Sequence, residues 1–364
     1  MNKPVCPLTI GVVGGTWNKE GGRESHYMEK FENELVEAGA TVWSFNGGSY
    51  DTLSEILHDS PLSSCRAIIW AANVPNNLPK QRNVKELYPH TLFVATKRNN
   101  GEYSFQELVN RALGQKANLV VEFDSRELPY YARIFDPLGV VWQDYTHDIA
   151  KLARALVLRL TELGAFTRRQ TLQADPEPLD VPSHPEFFQL VKEYADVFHS
   201  LLQPAPGVTR FLGNTSFRCG RGFPSLRGGT SEQIFVSRRN VDKRFIEPSA
   251  FVAVEARDGT VVYWGPNKPS VDTPIQVALY RELSAIRFML HGHVYAENAS
   301  YTKRPVPCGA LEEIDKILAL IPDRNTCFAT VNLLGHGCLI MADSPEKFIG
   351  LPFIGRPMPE IITS

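Results

Sequence analysis

The first part of the chain alternates short apolar runs with longer segments in which apolar side chains recur every three or four positions. LTIGVVGG (8–15) predicts a buried strand that ends in glycines, and ESHYMEKFENELVEAG (24–39) predicts an amphipathic helix. Further strands are predicted for ATVWSFNGG, RAIIWAAN, TLFVATKRN and ANLVVEF, and further helices for SFQELVNRALGQ and HDIAKLARALVLRLTELGA. Strands that alternate with helices are typical of a doubly wound parallel sheet. We therefore predict a Rossmann-like or flavodoxin-like α/β domain over residues 1–166.

The pattern changes after this domain. Residues 167–186 (TRRQTLQADPEPLDVPSHPE) contain four prolines and show no apolar period, so we interpret them as a linker. FFQLVKEYADVFHSLL then predicts an amphipathic helix. Short strands such as FVAVEAR and IRFMLHGHVY follow, mixed with helices such as TPIQVALYREL and ALEEIDKILALI. We predict a second α/β domain over residues 187–364.

The composition is that of an ordinary globular protein, with 364 residues, 43% hydrophobic and 21% charged, enough for two cores. The formal net charge of −2 gives no overall basic field, so nucleic acid and membrane surfaces are not expected partners. No apolar run approaches the roughly 18 residues of a spanning helix, and no signal-peptide pattern precedes the first strand. The six cysteines show no C-x-x-C spacing, as expected for reduced thiols. We expect a cytoplasmic protein.

Candidate chemistry appears in two apolar strands of the second half. In FMLHGHVY, His291 and His293 are two positions apart, and alternate residues of a strand point to one face. In NLLGHGCLIM, His336 lies between two glycines, which leave room for a metal and its substrate against the backbone. Three histidines with an open fourth position are typical of a catalytic zinc site. The alternative is that all three are hydrogen-bonded core histidines.

Several motifs around these histidines occur in a fixed order. G-N-x-S (residues 213–216) is followed by P-S-x-D (residues 269–272), a helix, H-x-H, P-C (residues 307–308) and the last histidine. This ordered set resembles the class II aldolase/adducin family, over roughly residues 187–350. The resemblance implies an α/β/α domain and an enzyme such as an aldolase that cleaves phosphorylated ketoses, active as a homo-oligomer, commonly a tetramer.

The resemblance also implies roles for individual residues. His291, His293 and His336 match the three metal ligands, with Zn²⁺ as the most expected metal and manganese or cobalt as alternatives. Asp272 matches the acidic catalytic residue. The positions that match substrate or phosphate contacts are Asn214, Ser270, Ser237 and Arg238.

Some features depart from the family pattern or leave alternatives open. The loop that carries a catalytic tyrosine after P-C is missing, so Tyr301 is our candidate for the proton donor and Tyr295 the alternative. Asp272 directly precedes a predicted helix, so a simple N-cap is the alternative to its catalytic role. Arg238 is equally consistent with a solvated turn. Epimerisation or dehydration of a phosphosugar, and a non-catalytic adducin-like assembly role, are the alternative functions.

The first domain offers a weaker candidate site. Gly14 and Gly15 end the first predicted strand, although the sequence there is not G-x-G-x-x-G, and Lys97 and Arg98 lie at the end of the fourth. Ligands of such sheets bind beyond the carboxyl ends of the strands. These four residues therefore predict an anion site, with a helix-capping turn and a solvated basic pair as the alternative.

Overall fold

The computed structural model describes residues 8–58, 61–74, 82–126, 131–204, 211–219 and 233–362. The chain divides into two compact units. The first contains the residues up to Ala165 together with those from Met358 onward, and the second runs from Phe166 to Pro357. Within the described ranges, no helix is both long enough and apolar enough to cross a membrane.

Strands and helices alternate in the first unit. The strands up to residue 165 are β1 (Thr9–Asn18), β2 (Thr41–Ser49), β3 (Ala67–Trp70), β4 (Leu92–Asn99), β5 (Leu119–Asp124), β6 (Tyr131–Phe135) and β7 (Val140–Thr146). The helices are α1 (His26–Glu37), α2 (Tyr50–His58), α3 (Arg82–Leu87), α4 (Phe105–Gly114) and α5 (Ile149–Ala165), with a 3-10 turn at Pro61–Ser64.

The second unit is richer in strands. They are β8 (Thr171–Asp175), β9 (Asn214–Cys219), β10 (Gln233–Ser237), β11 (Phe251–Arg257), β12 (Thr260–Trp264), β13 (Phe288–Gly292), β14 (Tyr295–Ala296), β15 (Ser300–Tyr301), β16 (Phe328–Leu333), β17 (Gly337–Ala342) and β18 (Phe353–Ile354). The helices are α6 (Pro185–Leu202), α7 (Thr273–Glu282) and α8 (Glu312–Ala319), with 3-10 turns at Lys243–Phe245, Pro248–Ala250 and Pro345–Phe348. A last strand, β19 (Glu360–Ile361), belongs to the first unit.

The first sheet has the order β19-β7-β6-β5-β4-β3-β1-β2. The part from β2 to β5 is parallel and follows the flavodoxin-like order 2-1-3-4-5. β6 and β7 extend it in antiparallel fashion. Ile68 and Trp70 of β3 pack in one core cluster with Leu53 of α2 and Leu108 of α4. The predicted doubly wound fold is confirmed.

The second sheet has the order β15-β16-β17-β13-β9-β10-β11-β12-β8 and is antiparallel except at its two ends. Alternate residues of its strands pack into different cores, as the pleat requires. Phe288 and Leu290 of β13 lie in the core with Phe187 of α6, whereas Met289 lies in the core with Leu279 of α7 and Ile317 of α8. The sheet therefore has helices on both faces, in the predicted α/β/α arrangement.

The unit boundaries differ from the predicted ones. The segment interpreted as a linker contains β8, which pairs in parallel with β12 between Thr171↔Val261 and Asp175↔Trp264. β8 is a largely exposed edge strand, so its sequence does not need an apolar alternation. At the other end, Glu360 pairs with Val140 of β7, which places the last residues in the first unit.

Candidate metal centre

The register of β13 and β17 brings the three histidines together. Gly292 at the end of β13 lies opposite Cys338, the second residue of β17. His291 is the second-last residue of β13, His293 follows the strand, and His336 directly precedes β17. All three rings are buried, with centroids 5.0 Å (His291–His293), 4.6 Å (His291–His336) and 5.1 Å (His293–His336) apart. One nitrogen from each lies within 4.8 Å of the other two, and we call this group the three-histidine centre.

Two details of the strands differ from the prediction. His293 lies past the end of β13, and His336 lies in the turn between β16 and β17 rather than inside a strand. Gly337, the glycine after His336, is also required for a reason other than the predicted space for a metal and its substrate. Gly337 has φ +143, and a Cβ on it would lie 2.0 Å from the carbonyl oxygen of Gly292. The glycine permits close approach of the two chain segments, which positions His336 beside the other two rings.

The chemistry of His291 and His293 fits metal ligands. Nδ1 of His291 lies 2.8 Å from the carbonyl oxygen of Cys338, which only accepts, so Nδ1 carries the proton. Nε2 of His291 and Nδ1 of His293 are buried and have no hydrogen-bond partner among the described residues. Burial lowers the pKa of both imidazoles well below the usual value, so both are neutral at pH 7. Neutral imidazoles with free lone pairs are the form that binds a divalent metal.

His336 is oriented by a carboxyl group. Its Nδ1 lies 3.1 Å from Oε1 of Glu313, a buried residue of α8, and its Nε2 lies 3.1 Å from Sγ of Cys308. Burial lowers the pKa of His336, but the Cys308 thiol and the Glu313 carboxyl raise it by more. A carboxyl group on the second nitrogen of a metal-binding histidine fixes the tautomer and the ring orientation.

Asp272 lies at the start of α7 and does not act as a side-chain cap. Its Oδ2 accepts a hydrogen bond of 2.7 Å from Nδ2 of Asn214, and its side chain makes no bond to the first turn of the helix. Oδ1 is buried without a well-formed hydrogen bond in the described part of the chain. Burial raises the pKa of this carboxyl, while the nearby His336 lowers it. Asp272 therefore occupies the N-cap position of α7, but its side chain makes no capping hydrogen bond.

The residues predicted to contact phosphate lie close together in space, but several of their polar groups already form hydrogen bonds within the protein. The Ser270 amide donates a hydrogen bond of 3.1 Å to the Ser237 carbonyl, and the main chain of Arg238 forms an isolated antiparallel β-bridge with Pro269. The Ser237 hydroxyl accepts from the Thr215 amide at 3.1 Å, and the Ser270 hydroxyl accepts from the Asp272 amide at 3.4 Å. Phosphate binding by these side chains stays a prediction. Asn214 instead links Asp272 to Gln276, whose Nε2 donates to its Oδ1.

The two candidate tyrosines pack against each other, with ring centroids 4.9 Å apart. Tyr301 lies on the edge strand β15 and is 43% exposed. Tyr295 is buried, and its hydroxyl accepts a 2.8 Å hydrogen bond from the Gly335 amide, next to His336. The role of Tyr301 stays a prediction, and Tyr295 is bonded to the turn that carries His336.

Three residues near the centre were missed by sequence reasoning: Glu313, Lys243 and Arg356. Glu313 lies four residues before Ile317 on the buried face of α8. A carboxyl group within an apolar helix face could have been identified from the sequence as a candidate site residue. Lys243 lies in a 3-10 turn and Arg356 after the short strand β18, where no periodic pattern marks a buried position.

The candidate anion residues of the first unit lie on separate strands. Gly14 and Gly15 are in β1, and Lys97 and Arg98 in β4, with β3 between them, about 10 Å apart across the sheet. Gly15 has φ +71, and a Cβ there would lie 2.7 Å from Oδ1 of Asn46. This close packing explains Gly15 without a ligand. The anion site stays a prediction.

A comparison with protein families supplies the assignment of the second unit. The Class II Aldolase and Adducin N-terminal domain matches residues 193–328, which include Asn214, Asp272, His291 and His293. Residues 193–328 belong to the class II aldolase/adducin family. Enzymes of this family typically depend on a divalent metal, and the three-histidine centre of this aldolase/adducin domain fits one.

Several solved structures are similar to parts of this chain. An L-fuculose 1-phosphate aldolase is 17% identical over 44% of this chain and 77% of its own, with a TM-score of 0.29. The L-fuculose-1-phosphate aldolase from Thermus thermophilus is 17% identical over 44% of this chain and 79% of its own, with a TM-score of 0.27. A DNA/pantothenate metabolism flavoprotein from Streptococcus pneumoniae is 13% identical over 44% of this chain and 100% of its own, with a TM-score of 0.35. A comparison with curated protein sequences found no match. The family assignment rests on the match at residues 193–328.

Proposed function

We propose that the aldolase/adducin domain is a metal-dependent lyase that cleaves or forms a C–C bond in a phosphorylated sugar or a related ketose. The observation that carries this proposal is the meeting of three buried imidazoles in a domain that also buries the Asp272 carboxyl at the start of α7. Two of these imidazoles have a nitrogen without a hydrogen-bond partner among the described residues. Zinc is the proposed metal, because it takes three histidine ligands and keeps a fourth position for water or substrate in catalytic sites.

The roles of the protein groups follow from their hydrogen bonds. His291 would hold the metal through Nε2, and His336 through the nitrogen that faces away from Glu313. A bound divalent cation acts as a Lewis acid on the substrate carbonyl. Asn214 holds Oδ2 of Asp272 and so leaves Oδ1 as the oxygen for proton transfer.

Proton transfer by Asp272 accounts for C–C cleavage. Oδ1 takes the proton of the hydroxyl on the carbon that becomes an aldehyde. The C–C bond breaks as the new carbonyl forms, and its electron pair passes to the carbon beside the ketone and gives an enediolate. A proton is then added to that carbon, with Tyr301 as the proposed donor. Asp272 then releases its proton to solvent and Tyr301 regains one, which restores both groups. Burial raises the pKa of Asp272 toward the range of a useful acid–base group.

Epimerisation and dehydration are alternative reactions of the same groups, and product analysis separates them. Incubation with a panel of phosphorylated ketoses, followed by mass spectrometry and NMR, gives two carbonyl fragments after aldol cleavage. Epimerisation gives a product of unchanged mass, and dehydration gives loss of one water. We also propose a homo-oligomer, commonly tetrameric in this family, which light scattering of the purified protein measures.

The metal is tested first. We expect the purified protein to bind about one divalent metal ion per chain, and His293→Ala to lose it while the fold is retained. The measurement is elemental analysis after dialysis, with circular dichroism as the check on folding. His199→Ala is the matched control, because His199 lies exposed on α6 in the same unit. Wild-type protein without metal favours an adducin-like assembly role instead, and unchanged metal content in His293→Ala refutes the ligand assignment.

A further inference from the structure

Cys308 brings a sulfur atom to the nitrogen of His336 that faces away from Glu313. Its Sγ lies 3.1 Å from Nε2 of His336, while Nδ1 of the same ring lies 3.1 Å from Oε1 of Glu313. Because the carboxyl group occupies the Nδ1 side, Nε2 is the nitrogen through which His336 can hold a metal. The thiol therefore lies at the metal-binding side of this ring.

The distance between these two atoms is close to the distance between two ligands of one metal ion. Zinc bonds of about 2.0 Å to nitrogen and about 2.3 Å to sulfur, at a tetrahedral angle, place the two ligand atoms about 3.5 Å apart. The observed separation of Cys308 Sγ and His336 Nε2 is 3.1 Å. A proton lies between the two atoms in this hydrogen bond, and metal binding displaces such protons. A small outward shift of the thiol is enough for both atoms to bind the same ion.

The turn that carries Cys308 packs closely against a neighbouring segment. The Ala310 amide donates a hydrogen bond of 3.1 Å to the Pro307 carbonyl, which closes the turn around Cys308. Gly309 has φ +76, and a Cβ on it would lie 3.1 Å from the carbonyl oxygen of Val271. Glycine permits both this backbone conformation and the close approach of the two segments. The main chain thus keeps the thiol beside the three-histidine centre.

The other two histidines supply an independent sign that a ligand binds here. Nε2 of His291 and Nδ1 of His293 are buried and have no hydrogen-bond partner in the described part of the chain. Buried polar atoms are rarely left without a partner, so a metal is a physical reason for both. Three imidazoles and one thiol form a nitrogen–sulfur ligand set, which suits zinc.

We propose that Cys308 is a sulfur ligand of the metal at the three-histidine centre and that it selects zinc over manganese. The inference rests on the proposed function, which places a divalent metal at this centre. Thiolate is a soft ligand that favours zinc, whereas manganese prefers oxygen ligands. Cysteine occurs among the ligands of catalytic zinc sites, and such sites can expand to five ligands. A sulfur ligand therefore still leaves room for substrate at the metal.

X-ray absorption at the zinc edge tests the ligand on the full-length, zinc-loaded protein. We expect one sulfur neighbour at about 2.3 Å, besides nitrogen and oxygen neighbours at about 2.0–2.2 Å. In Cys308→Ser the sulfur neighbour should disappear while zinc stays bound. Cys327→Ser is the matched control, because Cys327 is an exposed cysteine of the same unit, and this variant should keep the sulfur neighbour.

Competition with a fluorescent chelator tests the selection of the metal. Cys308→Ser should weaken zinc binding by at least about 10–100-fold, the loss that removal of an outer-shell partner alone can cause. Manganese binding should be nearly unchanged, because serine removes a sulfur that manganese does not favour. An equal loss of affinity for the two metals refutes the selective role.

The outcomes separate failure of this proposal from failure of the proposed function. If the wild-type protein binds no divalent metal, the metal centre is refuted and the proposed function with it. If it binds zinc without a sulfur neighbour, or if Cys308→Ser keeps one, only the role of Cys308 is refuted. The wild-type spectrum answers this without any variant, and Cys308→Ala replaces the serine variant if that variant does not fold.

Discussion

Glu122 in the first unit and Asp272 in the second are both buried carboxyls, but their oxygens are used differently. Oε1 of Glu122 accepts a hydrogen bond of 2.7 Å from Nδ2 of Asn99, and Oε2 accepts one of 2.6 Å from Nε of Arg133. The guanidinium of Arg133 lies over the Tyr145 ring. Asp272 has one oxygen held by Asn214 and the other without a well-formed partner in the described structure. A fully bonded carboxyl stabilises the fold, whereas a half-bonded one keeps capacity for a ligand or a proton.

The same contrast extends to the neighbours of each carboxyl. Next to Glu122, the guanidinium of Arg133 packs against the rings of Phe105 and Tyr145. In the domain that contains Asp272, one nitrogen each of His291 and His293 is buried without a hydrogen-bond partner in the part of the chain that the structure describes. The comparison therefore predicts that changes at Glu122 act on stability, and changes at the three-histidine centre act on metal binding and turnover.

The largest expected effect is on catalysis at Asp272. Asp272→Asn keeps the size of the side chain and removes the acid–base group, so kcat should fall by about 10²–10⁴-fold. Once a substrate is found, steady-state kinetics measure this, and elemental analysis should show unchanged metal content. An asparagine variant with wild-type turnover would exclude the proton-transfer role.

The next effect is on the stability of the first unit. Arg133→Met leaves the buried Glu122 without its cation and should lower the free energy of unfolding by about 3–5 kcal/mol, with metal content unchanged. Urea denaturation of the full chain measures it. Replacing both residues by leucine should recover most of the loss, because no uncompensated charge remains.

The control for that pair is Lys116→Met. Lys116 pairs with Glu86 at 3.8 Å and both side chains are more than half exposed, so solvent screens the interaction and the loss should be about 0–1 kcal/mol. Equal losses in the two variants would contradict the view that Glu122 belongs to a buried network.

The smallest effect is on the orientation of His336. Glu313→Gln removes the carboxylate from His336 Nδ1 and should weaken metal binding about 10–100-fold. Competition with a fluorescent chelator measures the affinity. Glu312→Gln is the matched control, because Glu312 instead accepts from the Thr167 amide. The positioning role is wrong if the two variants bind metal equally well.

Strong periodic and ordered patterns were enough to predict the architecture. The alternation of apolar runs such as LTIGVVGG with amphipathic helices predicted the parallel sheet, and the ordered motifs predicted the family confirmed at residues 193–328. The edge strand β8 was missed because its side chains are largely exposed, and an exposed strand carries no apolar signal.

The sequence by itself determined the alternation of buried and exposed positions, and so the two α/β units and the identity of the histidines. These features are local, because the spacing of apolar residues within each strand or helix indicates which of its faces is buried. Only the tertiary structure decided that Gly292 lies opposite Cys338, which brings His336 to the other histidines. It also decided that Glu313 reaches His336 and that Lys243 is buried. Such contacts depend on strand register and on segments without a period, and the physical interactions that select them act between residues far apart in the chain.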